Sequence, residues 1–193
     1  MQKSISKKRC RWVSNDALYQ EYHDKEWGRP VHDDHVLFEY LILEGAQAGL
    51  SWLTVLKKRE HYQKLFFRFD PQKVARISSK KIELLLKNPD IIRNRLKVES
   101  TVSNAKAFLE VQKEFGSFDK YIWQFVGYKT KLNRFTSLQN VPAKTDESDR
   151  MSIDLKKRGF RFVGSTICYA FMQAVGMVHD HSTDCFCYGK NLK

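Results

Sequence analysis

The chain has 193 residues, of which 42% are hydrophobic, so it can bury a substantial core and is not a disordered polymer. Its 34 Lys and Arg against 22 Asp and Glu leave a formal charge of +12, which favours a polyanionic partner such as nucleic acid. The basic opening "KSISKKRCR" leads into "WVSNDALYQEYHDKEW" rather than an apolar run, so no secretory signal is expected, and the four cysteines then fit a reducing compartment, where thiols serve metals or packing.

Strict apolar–polar alternation is nearly absent and helical spacing recurs throughout, which predicts an all-α fold of seven to nine short helices. Helix starts are marked by good N-cap residues at Asn15 or Asp16, Asp33, Ser51, Asp70 before Pro71, Ser79, Ser117 and Ser148. The first helix carries Tyr19, Tyr22 and His23 at a spacing that shares one face, with Trp12 before it and Trp27 after it. Aromatics at helical spacing are usually core. Aromatic faces beside a carboxylate also make a pocket for a flat, electron-poor ring. The next segment raises that second possibility: in "EGAQAGLSW", Glu44 and Trp52 flank a turn of small residues and complete such a set if the two helices cross there.

"LLLKNPDIIRNR", Leu84 to Arg95, reads as helix, tight turn, helix, with the second helix starting where the Asn-Pro-Asp turn ends. Free backbone N–H groups at such a start, with Arg93 and Arg95 beside them, suit a DNA phosphate; a plain helix connection is the competing reading. The following helix is expected to bury the stripe Ile92, Leu96, Val102, Ala105 and Leu109. Residues 127–147 are polar and irregular, the best loop or connector, and Gly159 after "LKKR" is expected to close a helix. "FVGSTICYAFMQAVGMV", Phe162 to Val178, is 17 uncharged residues with Ser, Thr, Gln and two Gly, and fits a buried helix better than a membrane span. Near the end, "HDHSTDCFC" offers His179, His181, Cys185 and Cys187, while Cys10 and His23 lie far away near the start. Four N and S ligands would make a structural zinc site if the fold brought both ends together; ordinary thiols and surface histidines are the alternative.

The stretches from "RCRWVSNDALYQEYHDKEWGRP" through "EGAQAGLSWLTVLKKRE", then "IIRNR", then "LKKRGFRFVGSTICYAFMQAVGMVHDHSTDCFCY" strongly resemble the bacterial type I DNA-3-methyladenine glycosylases, from about Arg9 to Tyr188. The resemblance implies a helix-hairpin-helix glycosylase fold, as one compact unit of two helical subdomains. These span about 36–115, and 9–35 with 116–188, leaving 1–8 and 189–193 as flexible tails. It implies a monofunctional, monomeric, cytoplasmic enzyme that flips 3-methyladenine out of alkylated double-stranded DNA and releases the free base, with no membrane and no organic cofactor. A binding protein for alkylated DNA that lacks excision is the alternative. Carried onto this sequence, the resemblance puts a structural zinc on Cys10, His23, His181 and Cys185, leaving Cys168, His179 and Cys187 as non-ligands. It puts the base pocket on Glu44, Tyr22 and Trp52, with Trp12, Tyr19 and Trp27 nearby, and the hairpin on Asn88 to Arg93, including Ile91 and Ile92. Because an extruded base leaves a hole in the stack, Gly49 and Leu50 are the expected tip that enters it, with Leu50 as ordinary core the competing reading. Two positions depart from the family pattern: Asp90 stands where a hairpin glycine is usual, and Leu96 where a second glycine is usual. No aspartate follows the hairpin on "NAKAFLEVQKEF" to help a sugar cation.

Overall fold

The computed structural model describes residues 7–190 and 192. Among the described residues there are ten α-helices: α1 Ala17–Lys25, α2 Asp34–Gln47, α3 Trp52–Leu56, α4 Arg59–Leu65, α5 Pro71–Val74, α6 Ser79–Lys87, α7 Arg95–Phe115, α8 Phe118–Trp123, α9 Asp146–Lys157 and α10 Ser165–Ala174. The helix count exceeds the expected range because α3 and α5, at five and four residues, are too short to show a period in the sequence. The segment 127–147 also holds more order than its composition implies. Its strand β1, Lys131–Leu132, pairs in parallel with β2, Val178–His179, and a short 3₁₀ turn covers Leu138–Asn140.

The caps explain most boundaries. Side-chain oxygens of Asp16, Asp33, Ser51, Asp70 and Ser117 each accept backbone N–H groups from the first turn of the helix they precede. Two starts move. Ser78, not Ser79, caps α6, and α9 begins at the Thr145 cap, with Ser148 answering it from the third helical position as a capping box. Gly159 follows α9 at φ +88°.

One continuous apolar core joins the helices. The central α2 is buried all round from Leu37 to Ala46, which is why its sequence shows no polar face. It packs against α3, α7 and α10. On α7 the buried stripe is Val98, Val102, Ala105, Phe108 and Val111, so Val102 and Ala105 of the expected row are core while Ile92, Leu96 and Leu109 are not fully buried. That row assumed a helix from Asp90, whereas α7 begins only at Arg95 with Asn94 as its cap, so Ile92 lies outside it and Leu96 is 53% exposed. The uncharged Phe162–Val178 run forms α10, whose Cys168, Tyr169, Phe171 and Met172 are core; no helix among the described residues is long and apolar enough to cross a membrane. Gly176 permits the closest approach in the fold, since a Cβ there would stand 2.2 Å from the backbone of Arg29.

Both chain ends are tied in. The Lys8 carbonyl accepts the Phe186 N–H, Lys8 pairs with Asp184, and the Gly189 N–H donates to His179. The outer parts of the expected tails, residues 1–6, 191 and 193, lie outside the described residues.

Candidate functional site

The sharp end of α2 builds the site. Glu44 sits in its last turns, 3% exposed, with one carboxylate oxygen lacking any hydrogen-bond partner among the described residues. Burial alone pushes this carboxyl up from 4.5 to about 8. After it, Gln47 to Leu50 turn the chain: the Leu50 N–H donates to the Gln47 carbonyl, with Ala48 at φ −43° and ψ 115° and Gly49 at φ +77°. Those angles define a type II turn, which requires glycine at its third position. Leu50 then points outward at 42% exposure, while Ser51 caps α3 and returns Trp52 to the interior.

Trp52 meets Tyr22 of α1 with ring centroids 5.4 Å apart, and its indole N–H also has no partner. Trp12 packs on Tyr19 at 5.0 Å and on Trp27 at 4.9 Å. Burial drives the Tyr22 hydroxyl well above its usual pKa, so it stays a neutral donor. All six expected pocket residues, Trp12, Tyr19, Tyr22, Trp27, Glu44 and Trp52, therefore line one cavity of about 330 Å³. Sequence reasoning missed its far wall: Gln47, Tyr169, Gln173 and Asp180, with the rim 135–143. Gln47 is one turn after Glu44, and Tyr169 and Gln173 are four apart on α10, so helical spacing from known positions was the available signal. Asp180 is 3% exposed and accepts from Asn133, Tyr169 and Gln173 at 2.7, 2.7 and 2.8 Å, so its buried oxygens are satisfied by the protein.

Behind this pocket the chain ends meet. Cys10, His23, His181 and Cys185 are all buried, and their donor atoms lie within 4.8 Å of one another. Cys10 Sγ is 3.5 Å from His181 Nδ1, Cys185 Sγ is 3.5 Å from His23 Nε2, and the two imidazole nitrogens are 3.2 Å apart. A tetrahedral ion with ordinary zinc bond lengths needs N–S edges of about 3.6 Å and an N–N edge of about 3.4 Å, so the donor set fits. The opposite ring nitrogens are anchored. His23 Nδ1 is 2.9 Å from Asp24, which Arg9 grips in bidentate fashion, and His181 Nε2 is 3.1 Å from the Trp27 carbonyl. Such partners set the tautomers that a metal requires. His179 instead faces the Gly28 carbonyl and Cys168 is core, but Cys187 sits beside His23 and Asp24. Cys10 and Trp27 line the base-sized cavity too, so the cluster is part of the pocket's back wall.

The turn at Asn88–Asp90 lies elsewhere on the surface. Asn88 bridges to the Asp90 N–H at 2.8 Å, and the Lys58 ammonium holds the Pro89 carbonyl at 2.7 Å. Arg93 is exposed with no ion pair among the described residues. Ile91 is 2% exposed, so its side chain is core, and the Ile92 N–H goes to Tyr62 Oη. Arg95 pairs with Glu83 through two bonds of 2.6 and 2.9 Å, an exposed ion pair with which a phosphate would have to compete. Asp90 has an ordinary negative φ, so the backbone here does not demand the glycine that the family pattern suggests.

A deep aromatic pocket with an unpartnered carboxylate, set in a strongly basic helical protein, defines a binder of a single flat, electron-poor ring. Residues 12–188 match the methyladenine glycosylase family, and the chain belongs to it. A DNA-3-methyladenine glycosylase of Haemophilus influenzae is 50% identical over 93% of this chain and 97% of its own length. A crystal structure of a 3-methyladenine DNA glycosylase I superposes with a TM-score of 0.92 at 50% identity, covering 94% of this chain and all of that one. A tyrosine-to-phenylalanine variant of such an enzyme, in complex with 3-methyladenine, superposes at 0.91 with 36% identity, over 94% of this chain and 98% of that one.

Proposed function

We propose that this protein excises 3-methyladenine from alkylated DNA by hydrolysing the N-glycosidic bond. The observation that carries the reading is Glu44: a buried carboxyl with an unused oxygen, in a cavity of about 330 Å³ shared with Tyr22 and Trp52 and roomy enough for a purine. Methylation at N3 makes the base cationic and a good leaving group, so little acid catalysis is needed. The rings of Tyr22 and Trp52 stack the cation, and Glu44 faces its exocyclic amine edge; opposite charge favours the ionised carboxyl that burial disfavours. The base must leave the duplex to reach this depth, and Leu50 at the exposed turn is placed to fill the gap. The α6–α7 unit serves as the hairpin that grips the backbone, with Arg93 as its free cation.

Zinc on Cys10, His23, His181 and Cys185 supplies structural cross-linking when bound, joining residues before α1 to those after β2. Its fit rests on the donor spacing and on the anchored imidazoles.

Incubation with methylated duplex DNA, followed by chromatography of the released bases, tests the function. Free 3-methyladenine is the expected product; tight binding without any released base would establish the binding-protein alternative instead.

A further inference from the structure

The type II turn at Gln47–Leu50 depends on one peptide orientation. Type I and type II turns differ mainly by a flip of the central peptide, here the one that carries the Ala48 carbonyl. That carbonyl does not face solvent. The Lys97 ammonium donates to it at 2.6 Å, and to the Ala46 carbonyl at 2.8 Å. These two bonds place a cation at the carbonyl end of α2, where the helix dipole welcomes it. For its own helix the same charge is misplaced: Lys97 stands in the first turn of α7, which carries no acidic residue to offset it. The ammonium is partly desolvated as well. A lysine held against its own helix's preference points to a demand from the other partner, the turn.

The position of Lys97 in the chain gives that demand a meaning. It follows directly on the hairpin turn and its free Arg93, and its main-chain N–H is capped by Asn94. A single side chain thus spans from the first turn after the proposed backbone grip to the loop that separates Glu44 from Leu50. We infer that Lys97 is a positioning residue: it locks the central peptide of the 47–50 turn and so fixes how Leu50 meets the duplex once the hairpin is seated. This rests on the function proposed above. Lys97 touches neither the base nor the scissile bond, and binding of the isolated base needs only the pocket.

Lys97→Met keeps the side-chain length and removes both bonds. The expected result is a fall of about ten-fold or more in the rate of excision from methylated duplex. Binding of free 3-methyladenine and of unmodified duplex should stay within about three-fold of the parent, since the pocket and Arg93 are untouched. Lys97→Gln, too short to reach both carbonyls, replaces it if the methionine variant does not fold. Excision within three-fold of the parent would overturn the inference, as would a loss shared in equal measure by free-base binding or duplex affinity. A parent protein that releases no base from methylated duplex would instead refute the underlying function, and that control precedes any variant.

Discussion

Glu44 is costly to the folded protein and useful to the site. Its carboxyl is raised from 4.5 to about 8, so its contribution to stability is fully present below pH 4.5 and is lost as the pH rises through 8. Glu44→Gln should therefore match the parent near pH 5 and unfold at a higher temperature at pH 9, by an amount corresponding to at most about 5 kcal/mol. Thermal melts across that range check the sign; equal melting temperatures at pH 9 would show that Glu44 is not buried as a carboxyl. The same variant should bind free 3-methyladenine at least about ten-fold more weakly, because the amide cannot supply an acceptor charge. The neighbouring Leu50 offers a complementary result. Leu50→Ala should slow excision from duplex by about ten-fold while leaving free-base binding intact, the loss of one apolar contact being worth that much.

At the scale of elements, the hairpin between α6 and α7 and the turn after α2 behave differently. Arg93→Ala should weaken binding to any duplex and reduce the salt dependence of that binding by about one phosphate contact. Arg95→Ala should change it less, since Glu83 already holds that guanidinium. Titrations at several salt concentrations separate the two. The helices themselves were largely legible, because Asp16, Asp33, Ser51, Asp70 and Ser117 are cap residues whose chemistry acts within one turn. The start of α7 was not: Ile91 and Ile92 continue an apolar pattern, yet Asn94 supplies the cap and the two isoleucines pack outside the helix. The pocket was legible on one wall only. Glu44 and Trp52 stand out beside a turn of small residues and Tyr22 by its aromatic spacing with Tyr19, whereas Tyr169 and Gln173 are lost within the long uncharged run that contains α10.

Taken as a whole, the molecule closes on itself at the Cys10–His23–His181–Cys185 cluster. Chelation should release one zinc per chain and lower the melting temperature by more than about 10 °C, as expected when a structural ion is withdrawn from a folded chain. Elemental analysis and a melt with and without chelator check both numbers. Cys185→Ser should lose the metal, while Cys168→Ser should keep it, its sulfur lying in the core of α10. No spacing rule could pair Cys10 with Cys185 across the chain; only the fold brings them together.

Asp180, Ser182 and Asp184 wall the base cavity from the segment that also carries His181 and Cys185. During synthesis this wall emerges long after Glu44, Tyr22 and Trp52 have left the ribosome. A prematurely ended chain lacks this surface, against which the flipped base would rest. Base recognition thereby draws on segments more than a hundred residues apart, the α2 turn and the stretch after β2. A protein ending before residue 178 should retain no affinity for free 3-methyladenine, and measurable binding by such a fragment would show that this wall is not needed.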